Sequence, residues 1–550
     1  MFDDEIFKKK KLTIGKQTAN ERVMEVIRIL TDEKALFPHI PAKDNFRAEI
    51  IEDVLSKKIS IGGPLLANVG RIRSTGACTV MSVDFRKNLK NQLEPILSQG
   101  SGIGFNLSDS VDPVKDLNLL NEVYKDIHTN SKKSSSRKGA GMAIINIEHP
   151  KASEFISCKL EEDFNNWWFN ISINLSSKFI KAVNKGNLNS DKLLTEIAQS
   201  IHYCGEPGIL FMDKFEKDNP LPHIKYESVA PCAEIALSQG EKCRFSYINL
   251  SRLVDNGKID YAELVRLSKN MTRFLDNSLE YSDMENATKD NARKIGIGIC
   301  GFADMLAQMQ ISYGSDEACA VAENIMSVIN FYSKVESVEL AKERGVFPQF
   351  KQSRYLDKEW VTRFSSNETD LITNDMWKRL GDAILKHGIR NATTTSLPPT
   401  GNSASRVGAS HSIEPYFNLK TMTGEINPIF VDICRQYHGN IYSGEIIAEV
   451  QKSGNLGGIH VDPRLAEVFK TAQAISPSEQ LKIVNAFQKH IDGAISKTVN
   501  VSNETSINDI KLLLINAMNS NSKGITLFRA NCLFERTAGH QADADRTIAK

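Results

Sequence analysis

The sequence lacks several features that would assign it to a specialised class of protein. No stretch approaches the roughly 20 consecutive apolar residues that a membrane-spanning helix needs. Residues 1–16 are rich in charged side chains and have no apolar core, so they do not have the pattern of a secretory signal. The net charge is only +1, which gives no sign of a nucleic-acid-binding surface. We therefore expect a cytoplasmic protein with no membrane or nucleic-acid partner.

Paired cysteines are also missing. The nine cysteines are scattered, odd in number and never spaced as Cys-x-x-Cys. This argues against a secreted disulfide scaffold and against a zinc site, and no bound metal is expected. Most of the nine should be buried and behave as small apolar side chains, so a functional cysteine has to be recognised by its neighbours.

The sequence does contain an alternation of helical and extended segments. Apolar residues recur at helical spacing between Ala19 and Leu65, and again in the long segments 261–281 and 315–343. Segments 77–83 and 141–147 have the composition of strands. Alternation of this kind indicates an α/β architecture, here preceded by a small helical region.

The segment around Cys232 carries the most specific chemistry. Pro231 disfavours helix before it and biases Ala230 toward extended backbone. Residues two apart in extended chain point the same way, so Cys232 and Glu234 are expected to face one space. Because a carboxylate raises the pKa of a neighbouring thiol, the pair suits a neutral thiol that acts as a radical source beside a proton-transferring carboxylate. A buried cysteine beside a surface glutamate is the alternative.

The motifs around this segment occur in a characteristic order. Pro231-Cys232-Ala233-Glu234 is followed by Cys243 and by Ile248-Asn249-Leu250-Ser251. Further matching segments are 205–209, 218–220, 274–277, 293–298, 301–305, 343–348, 412–415, 468–472 and 494–498. On these motifs the chain resembles the catalytic subunit of the ribonucleotide reductases, whose signature is Asn-Pro-Cys-Gly-Glu.

The resemblance implies a reaction and a role for each of four residues. Enzymes of this family remove the 2′-hydroxyl of ribonucleoside di- or triphosphates. Cys232 would form the thiyl radical that takes hydrogen from the ribose 3′ carbon, and Glu234 would be the base on the 3′-hydroxyl. Cys78 and Cys243 would supply two electrons by closing to a disulfide; two ordinary core cysteines are the alternative.

Several further segments match family segments near the substrate. The loop 397–405 leads into a predicted helix whose free N–H groups suit a phosphate, with an ordinary helix cap as the alternative. Gly104 belongs to segment 100–105, which we expect to be a glycine-rich turn. Arg137 and Lys138 match a loop that contacts a nucleoside triphosphate effector; a plain solvated loop is the alternative. The predicted substrate-binding residues are Ala77, Gly104, Asn170, Pro399, Thr400, Gly401, Asn402, Ser403 and Ala404.

The C-terminal segment distinguishes the branches of the family. One branch passes the radical from a separate metal-bearing subunit through adjacent tyrosines, where this chain has Leu527 and Phe528. The Lys-Gly-Ile-Thr run at 523–526 resembles instead the adenosylcobalamin-dependent branch, in which the cofactor creates the radical beside the cysteine. We therefore expect adenosylcobalamin and no separate radical-generating subunit. The resemblance also implies a thioredoxin-like or glutaredoxin-like reductant and allows a homodimer.

Three departures from the family pattern bear on this hypothesis. Ala230 stands where the family has Asn, only Cys532 lies where the family has a C-terminal cysteine pair, and no ATP-binding cone is recognisable before residue 66. They leave two alternatives open. One is a related radical enzyme with altered chemistry on a specialised nucleotide, and the other is a non-catalytic, nucleotide-binding regulatory paralogue.

The resemblance also implies a fold and a domain organisation. We expect a ten-stranded α/β barrel over residues 66–530, an N-terminal helical region at 1–65 and a C-terminal tail at 531–550.

Overall fold

The computed structural model describes residues 2–9, 12, 13, 16–71, 74–130, 139–160, 167–281, 288–421 and 424–532. The predicted effector contacts Arg137 and Lys138 lie outside these ranges. The strands are β1 (Ile59–Ile61), β2 (Cys78–Val80), β3 (Gly102–Asn106), β4 (Gly141–Asn146), β5 (Phe169–Asn174), β6 (Gly208–Leu210), β7 (Ser228–Val229), β8 (Ala236–Leu237), β9 (Phe245–Asn249), β10 (Val254–Asp255), β11 (Lys258–Ile259), β12 (Gly296–Cys300), β13 (Thr498–Val501) and β14 (Gly524–Arg529).

The helices cover most of the remaining chain. They are α1 (Asp4–Lys9), α2 (Ala19–Leu30), α3 (Glu33–Leu36), α4 (Phe46–Leu55), α5 (Gly63–Asn68), α6 (Leu89–Leu97), α7 (Pro113–Asn130), α8 (Ala152–Ser157), α9 (Ser177–Asn184), α10 (Leu188–Cys204), α11 (Met212–Lys217), α12 (Tyr261–Glu280), α13 (Phe302–Gln308), α14 (Asp316–Arg344), α15 (Lys358–Val361), α16 (Asn374–His387), α17 (Gly401–Val407), α18 (Pro428–Ser453), α19 (Pro463–Val468), α20 (Pro477–Gln488) and α21 (Ile507–Met518). None of the helices within the described ranges is long and apolar enough to cross a membrane.

The extended segments close into a barrel made of two parallel halves. In the first half, β2, β3, β4, β5 and β6 pair side by side in that order. In the second half, β9 is parallel to β12, and β12 is bridged to the extended segment 393–397 through Ile297 and Thr395. That segment is bridged in turn to the chain entering β13, through Leu397 and Ile495, and β13 pairs with β14.

Antiparallel contacts join the two halves. β14 pairs with β6 at one seam, and Thr79 of β2 is bridged to Lys242, just before β9, at the other. The ring therefore holds β2–β6, β9, β12, β13 and β14 together with segment 393–397. The expected ten-stranded α/β barrel with a small N-terminal helical region is confirmed.

The amphipathic segments pack as helices against the outside of the barrel. The predicted helices 261–281 and 315–343 form α12 and α14. A buried ion network joins them: Asp276 of α12 is 3.0 Å from Arg344 of α14 and 2.8 Å from Arg293. Because all three side chains are almost fully buried, the network fixes these helices in one arrangement against β12.

Two smaller units flank the barrel. The N-terminal residues form α2, α3 and α4 as the spacing predicted, but Ile59–Ile61 forms a strand that pairs antiparallel with β9. On another side, α18 and α19 build a separate apolar core with Tyr416 and Phe469, which packs on Ala303 and Ala307 of α13. The N–H of Ala472 donates to the carbonyl of Tyr416 in this second unit, and Ala472 lines the cavity described next.

Candidate active site

Cys232 lies at the tip of a short hairpin inside the barrel. β7 and β8 pair antiparallel, and in the turn between them the N–H of Ala233 donates to the carbonyl of Ala230 at 2.7 Å. Ala233 has a φ of 62°, in the left-handed region. The expectation that the chain runs extended from Ala230 to Glu234 is therefore wrong. Pro231 does exclude a helix, but the chain reverses here because the two strands of the hairpin pair with each other.

Two glycines of β3 make room for this hairpin. A Cβ on Gly104 would lie 1.9 Å from the carbonyl oxygen of Val229, and one on Gly102 would lie 3.0 Å from Pro231 Cγ. The expectation of a glycine-rich turn at 100–105 is also wrong, because Gly102–Asn106 is a strand. The glycines serve close backbone approach rather than a turn.

The backbone of Glu234 ties the hairpin to the other half of the barrel. Its carbonyl accepts hydrogen bonds from Ser396 Oγ at 2.6 Å and from the N–H of Ala494 at 2.8 Å. Glu234 is 2% exposed. Its carboxylate lies close enough to Cys243 to contribute to that thiol's raised pKa. The hairpin is thus held between β3 on one side and segments 393–397 and 494–497 on the other.

Cys78 and Cys243 lie side by side at the antiparallel seam between the halves. The N–H of Cys78 is 3.2 Å from Cys243 Sγ, and the N–H of Cys243 donates to the carbonyl of Cys78 at 3.1 Å. Both cysteines are buried. Burial, the contact with Cys78 and the charge of Glu234 hold the pKa of Cys243 well above its usual range, so Cys243 is a neutral thiol at neutral pH.

A cavity of about 310 Å³ opens beside the hairpin tip. Pro231, Cys232 and Ala233 form one wall of it, and residues of β5, β6, β13 and β14 form the others. Its size falls in the range of small-molecule sites, which is about 300–1,000 Å³. The half-buried Cys232 thereby borders a space that can hold a substrate.

Some of the predicted site residues line this cavity, and others do not. Asn170, Pro399, Thr400 and Gly401 line it together with Cys232. Within the described residues, the lining does not include Glu234, which is a buried residue of the hairpin itself. It also does not include Cys78 and Cys243, which belong to a buried cluster packed against the hairpin. It does not include Ala77 and Gly104 either; the N–H of Ala77 donates to the carbonyl of Cys243 at the seam.

Helix α17 explains why only part of the predicted phosphate loop faces the cavity. The carbonyl of Ser403 accepts from Ser60 Oγ at 2.7 Å, on the side of β1. Ala404 is fully buried in the apolar cluster that contains Cys78 and Cys243. Asn402 follows Gly401 on the same turn but is not among the lining residues. A helix turns successive side chains by a large angle, so three consecutive residues cannot all face one space.

Two acid–lysine pairs at the cavity were not predicted. Glu206 lines the cavity and is 2.6 Å from Lys159. Glu414 and Lys497 both line it and are 2.6 Å apart. Both glutamates and Lys497 fall in segments whose motifs pointed to the family. The partner of each glutamate lies far away in the sequence. The spacing of residues along the chain therefore could not predict which lysine each glutamate contacts.

His411 is a further lining residue that the motifs did not single out. It precedes the matched segment 412–415, and burial lowers its pKa while Asp304 acts in the opposite direction. A neutral imidazole therefore faces the cavity near Thr400, where it can accept or donate a hydrogen bond.

The sequence pattern of the ribonucleotide reductase barrel domain matches residues 77–190 and 183–528. The chain belongs to the ribonucleotide reductase family. Its resemblance to the cobalamin-dependent branch is confirmed by its relatives. A vitamin B12-dependent ribonucleoside-diphosphate reductase of Thermoplasma acidophilum is 30% identical over 87% of this chain. One of Mycobacterium tuberculosis is 31% identical over 72% of it.

Other reductases of the family are more distant. The ribonucleoside-diphosphate reductase large subunit of African swine fever virus is 26% identical over 66% of this chain and 51% of its own length. The class Id ribonucleotide reductase alpha subunit of Actinobacillus ureae shares the fold, with a TM-score of 0.76 and 18% identity over 97% of this chain and 99% of that one.

The chain is shorter than the vitamin B12-dependent reductases that it matches. The alignment covers 64% of the Thermoplasma acidophilum protein and 56% of the Mycobacterium tuberculosis protein. The family pattern, which extends from residue 77 to residue 528, nevertheless includes the hairpin, the thiol pair and every cavity-lining residue except Ala530.

Proposed function

We propose that this chain reduces ribonucleotides to 2′-deoxyribonucleotides through a thiyl radical at Cys232. The observation that carries the proposal is the hairpin, which presents Cys232 to a substrate-sized cavity while a pair of adjacent thiols packs against the same hairpin. The names of the relatives specify ribonucleoside diphosphates, so a diphosphate is the first substrate to test and a triphosphate the second.

Each of the four predicted catalytic residues has its own role in the proposed reaction. Cys232, as a thiyl radical, takes the hydrogen atom from the 3′ carbon, and Glu234 accepts the proton of the 3′-hydroxyl. The 2′-hydroxyl then leaves as water. Cys78 and Cys243 provide two electrons and two hydrogens and become a disulfide, and Cys232 recovers its radical when the 3′ hydrogen returns. Neutral thiols suit Cys78 and Cys243, because each gives up a hydrogen together with its electron.

Substrate binding is assigned to the start of α17 and to β5. The backbone N–H groups at Gly401, behind Thr400, suit an anionic phosphate at a helix N-terminus. Thr400 Oγ1 accepts a hydrogen bond from the N–H of Ser412 at 2.7 Å, which fixes this turn. Asn170 lies on the wall formed by β5 and can hydrogen-bond to the nucleoside.

The cofactor proposed for this site is adenosylcobalamin, which the names of the relatives imply. A different wall, formed by β6, β13 and β14 rather than by the α17 and β5 residues assigned to the substrate, includes the apolar side chains of Ile209, Val501 and Ile525, which suit an adenosyl group. Phe528 lines the cavity where a redox-active tyrosine would be needed to receive a radical from another subunit. Ile209, Val501 and Ile525 would hold the adenosyl group. When bound, the cofactor supplies the unpaired electron that Cys232 requires.

The remaining partners belong to the same proposal. Cys532 is buried, and its sulfur lies 3.5 Å from where a Cβ on Gly205 would be, so an external thioredoxin-like or glutaredoxin-like dithiol is the proposed reductant. The proposal also includes nucleoside triphosphate effectors that bind at Arg137 and Lys138. It further includes a homodimer and a cytoplasmic location. The altered-chemistry and regulatory alternatives are not favoured, because all four catalytic residues are present and the curated relatives are named as reductases.

Product analysis tests the proposal directly. Purified protein, adenosylcobalamin, a dithiol and ribonucleoside diphosphates should yield 2′-deoxy products, detected by mass. Cys232→Ser should abolish them, whereas Cys319→Ser, at a half-buried cysteine of α14, should not. Cys78→Ser should still allow cofactor cleavage but stop the reduction. Equal yields from the wild type and Cys232→Ser would contradict the proposal, and cofactor cleavage without deoxy product in the wild type would favour the altered-chemistry alternative.

A further inference from the structure

One wall of the cavity carries polar side chains and an aromatic ring on neighbouring strands. β5 pairs with β6, β6 with β14, and β14 with β13. The registers place Ser172 beside Gly208 and Asn500 beside Phe528. Thr526 lies two residues before Phe528, and all of these residues line the cavity. Because residues two apart on a strand face the same way, they belong to one inner surface.

Gly208 leaves a gap in this surface. A Cβ on Gly208 would lie 2.8 Å from Ser172 Oγ and 3.6 Å from Thr526 Oγ1. The space of the absent side chain is therefore bordered by two hydroxyl groups, each of which can donate or accept a hydrogen bond. A glycine within a strand can mark the place where a ligand approaches the backbone closely, and this gap suits a polar ligand.

Glu206 adds a buried carboxylate to the same wall. It lines the cavity two residues before Gly208, and its carboxylate is 2.6 Å from Lys159 Nζ. Lys159 also donates a hydrogen bond to the carbonyl of Phe169, directly before Asn170, so the ion pair lies at the start of β5. Both charged side chains are more than nine-tenths buried. Apolar side chains of similar volume would stabilise an interior at least as well, so packing alone does not explain this pair.

We propose that Glu206 binds the two adjacent ribose hydroxyls of a 5′-deoxyadenosyl group, whose adenine packs on Phe528. The inference rests on the proposed function and names residues that recognise the nucleoside of its cofactor. A carboxylate has about four acceptor positions, so Glu206 can accept hydrogen bonds from Lys159 and from a ribose together. Acidic side chains bind ribose hydroxyls in dinucleotide-binding folds, and bases stack on aromatic rings. Lys159 is a positioning residue that acts through Glu206.

The position of Glu206 indicates which ribose it binds, since the substrate also has two adjacent hydroxyls. The proposed reaction places the substrate's ribose at Cys232 and Glu234, which already supply a carboxylate. Glu206 lies instead on the wall assigned to the adenosyl group. Gly205 precedes it, and a Cβ on Gly205 would be 3.7 Å from Phe528 Cδ2. Carboxylate and aromatic ring are therefore neighbours on this wall.

Equilibrium binding of free nucleosides to the full chain tests this inference without cobalamin or turnover. Titration calorimetry would compare 5′-deoxyadenosine with 2′,5′-dideoxyadenosine, which lacks one of the two hydroxyls. The wild type should bind 5′-deoxyadenosine about tenfold more tightly. Glu206→Gln should bind 5′-deoxyadenosine about tenfold more weakly than the wild type does and should lose most of this preference, because charged hydrogen bonds become neutral ones. A wild type without the preference, or a variant that keeps the wild-type affinity, would overturn the inference.

Binding of ADP distinguishes the two sources of a ribose. ADP carries the diphosphate that the proposed function assigns to the start of α17. Glu206→Gln should therefore bind ADP with the affinity of the wild type. A variant that binds ADP more weakly but 5′-deoxyadenosine normally would overturn the inference and assign Glu206 to the substrate.

Glu414→Gln is the matched control. Glu414 also lines the cavity and is 2.6 Å from a lysine, Lys497. It lies on another side of the cavity, two residues after Ser412, whose N–H donates to Thr400 of the predicted phosphate loop. Glu414→Gln should therefore bind 5′-deoxyadenosine as the wild type does. Equal weakening in Glu414→Gln and Glu206→Gln would overturn the inference, because the loss of any carboxylate at the cavity would then suffice.

The melting temperature separates this role from a merely structural one. Glu206→Gln leaves Lys159 buried without its counter-ion and should melt earlier than the wild type. The double variant Lys159→Met, Glu206→Gln removes both charges and should recover most of the melting temperature, but it should bind 5′-deoxyadenosine no better. A double variant that also recovers the affinity would overturn the inference. A wild type that makes no deoxynucleotide would contradict the proposed function instead, because nucleoside binding is measured without turnover.

Discussion

Gly102 and Gly104 determine how closely the hairpin that carries Cys232 can approach β3. The space that a Cβ would need at Gly104 is taken by the backbone carbonyl of Val229. A backbone atom cannot rotate away as the end of a side chain can. The position of Cys232 at the cavity therefore depends on two residues that have no side chain and no part in the chemistry.

Gly104→Ala should displace the hairpin. A Cβ 1.9 Å from the carbonyl oxygen of Val229 forces the backbone to move, at a cost of about 1–3 kcal/mol in the free energy of unfolding. The yield of deoxynucleotide should fall as well, because Cys232 moves with the hairpin. Gly444→Ala, where no atom lies within 4 Å of the new Cβ, should leave both unchanged or raise stability slightly. A fully active and stable Gly104→Ala variant would contradict this account.

His490 should make the protein less stable in mild acid. It is fully buried, and neither ring nitrogen has a hydrogen-bond partner among the described residues. Burial lowers its pKa to about 4, from about 6.5 in the unfolded chain. The unfolded chain therefore binds the proton first, and stability is lost as the pH falls from about 6.5 to 4, by about 3 kcal/mol at most.

Urea unfolding measured across that pH range tests this prediction. His490→Leu should flatten the dependence between pH 6.5 and 4, because no buried imidazole then resists protonation. His387→Leu, at the exposed C-terminal end of α16, should keep the slope of the wild type. An identical slope in all three proteins would show that His490 does not set it.

At the scale of the elements, the carbonyl groups at the end of α21 receive hydrogen bonds from a side chain of another helix. Lys214 of α11 places its ammonium among carbonyl oxygens at and beyond the last turn, at 2.8–3.4 Å. The residues that accept these hydrogen bonds are Ala517, Met518, Ser520 and Ser522. A helix leaves its last carbonyls without partners and favours a cation there, so α11 fixes the chain that enters β14.

Lys214→Met should therefore loosen this junction. The loss of charged hydrogen bonds should lower the free energy of unfolding by about 2 kcal/mol. Hydrogen exchange should rise locally in residues 517–524, which lead into the antiparallel seam between β14 and β6. Lys217→Met, at an exposed lysine of the same helix, serves as the control and should change neither quantity. Protection that is unchanged in Lys214→Met would exclude the capping role.

At the scale of the whole molecule, Asp492 lies where the barrel closes. Its carboxylate accepts hydrogen bonds from Lys334 at 2.6 Å and Arg363 at 3.1 Å, and from the N–H of Thr394 at 2.9 Å. It thereby joins α14 and segment 393–397 to the chain that enters β13. Closure here depends on one buried carboxylate as well as on the bridge between Leu397 and Ile495.

Asp492→Asn should destabilise the entire barrel. It leaves the buried Lys334 without its counter-ion, which typically costs about 3–5 kcal/mol. Thermal unfolding should show this loss. Asp316→Asn removes a carboxylate that is 96% exposed and 3.3 Å from Lys482, and it should cost less than about 1 kcal/mol. Equal melting temperatures for the two variants would mean that Asp492 does not hold the closure.

Local patterns predicted much of this protein. Helices α12 and α14 follow from apolar residues at helical spacing, and β4 follows from its composition, because each pattern lies within one stretch of chain. The order of short motifs predicted the family and the barrel, which are confirmed, and the roles of Cys232, Cys78 and Cys243, which stay predictions. These predictions rest on residue types and their order along the chain, which need no knowledge of distant contacts.

Contacts between distant segments decided the rest. The reversal at Ala233 depends on the pairing of β7 with β8, and the strand at Gly102–Asn106 depends on its parallel neighbours. Which residues of α17 face the cavity depends on the packing of Ser403 and Ala404 against β1 and the thiol pair. A sequence pattern records which side chains are present, whereas burial and partners arise only when remote parts of the chain meet.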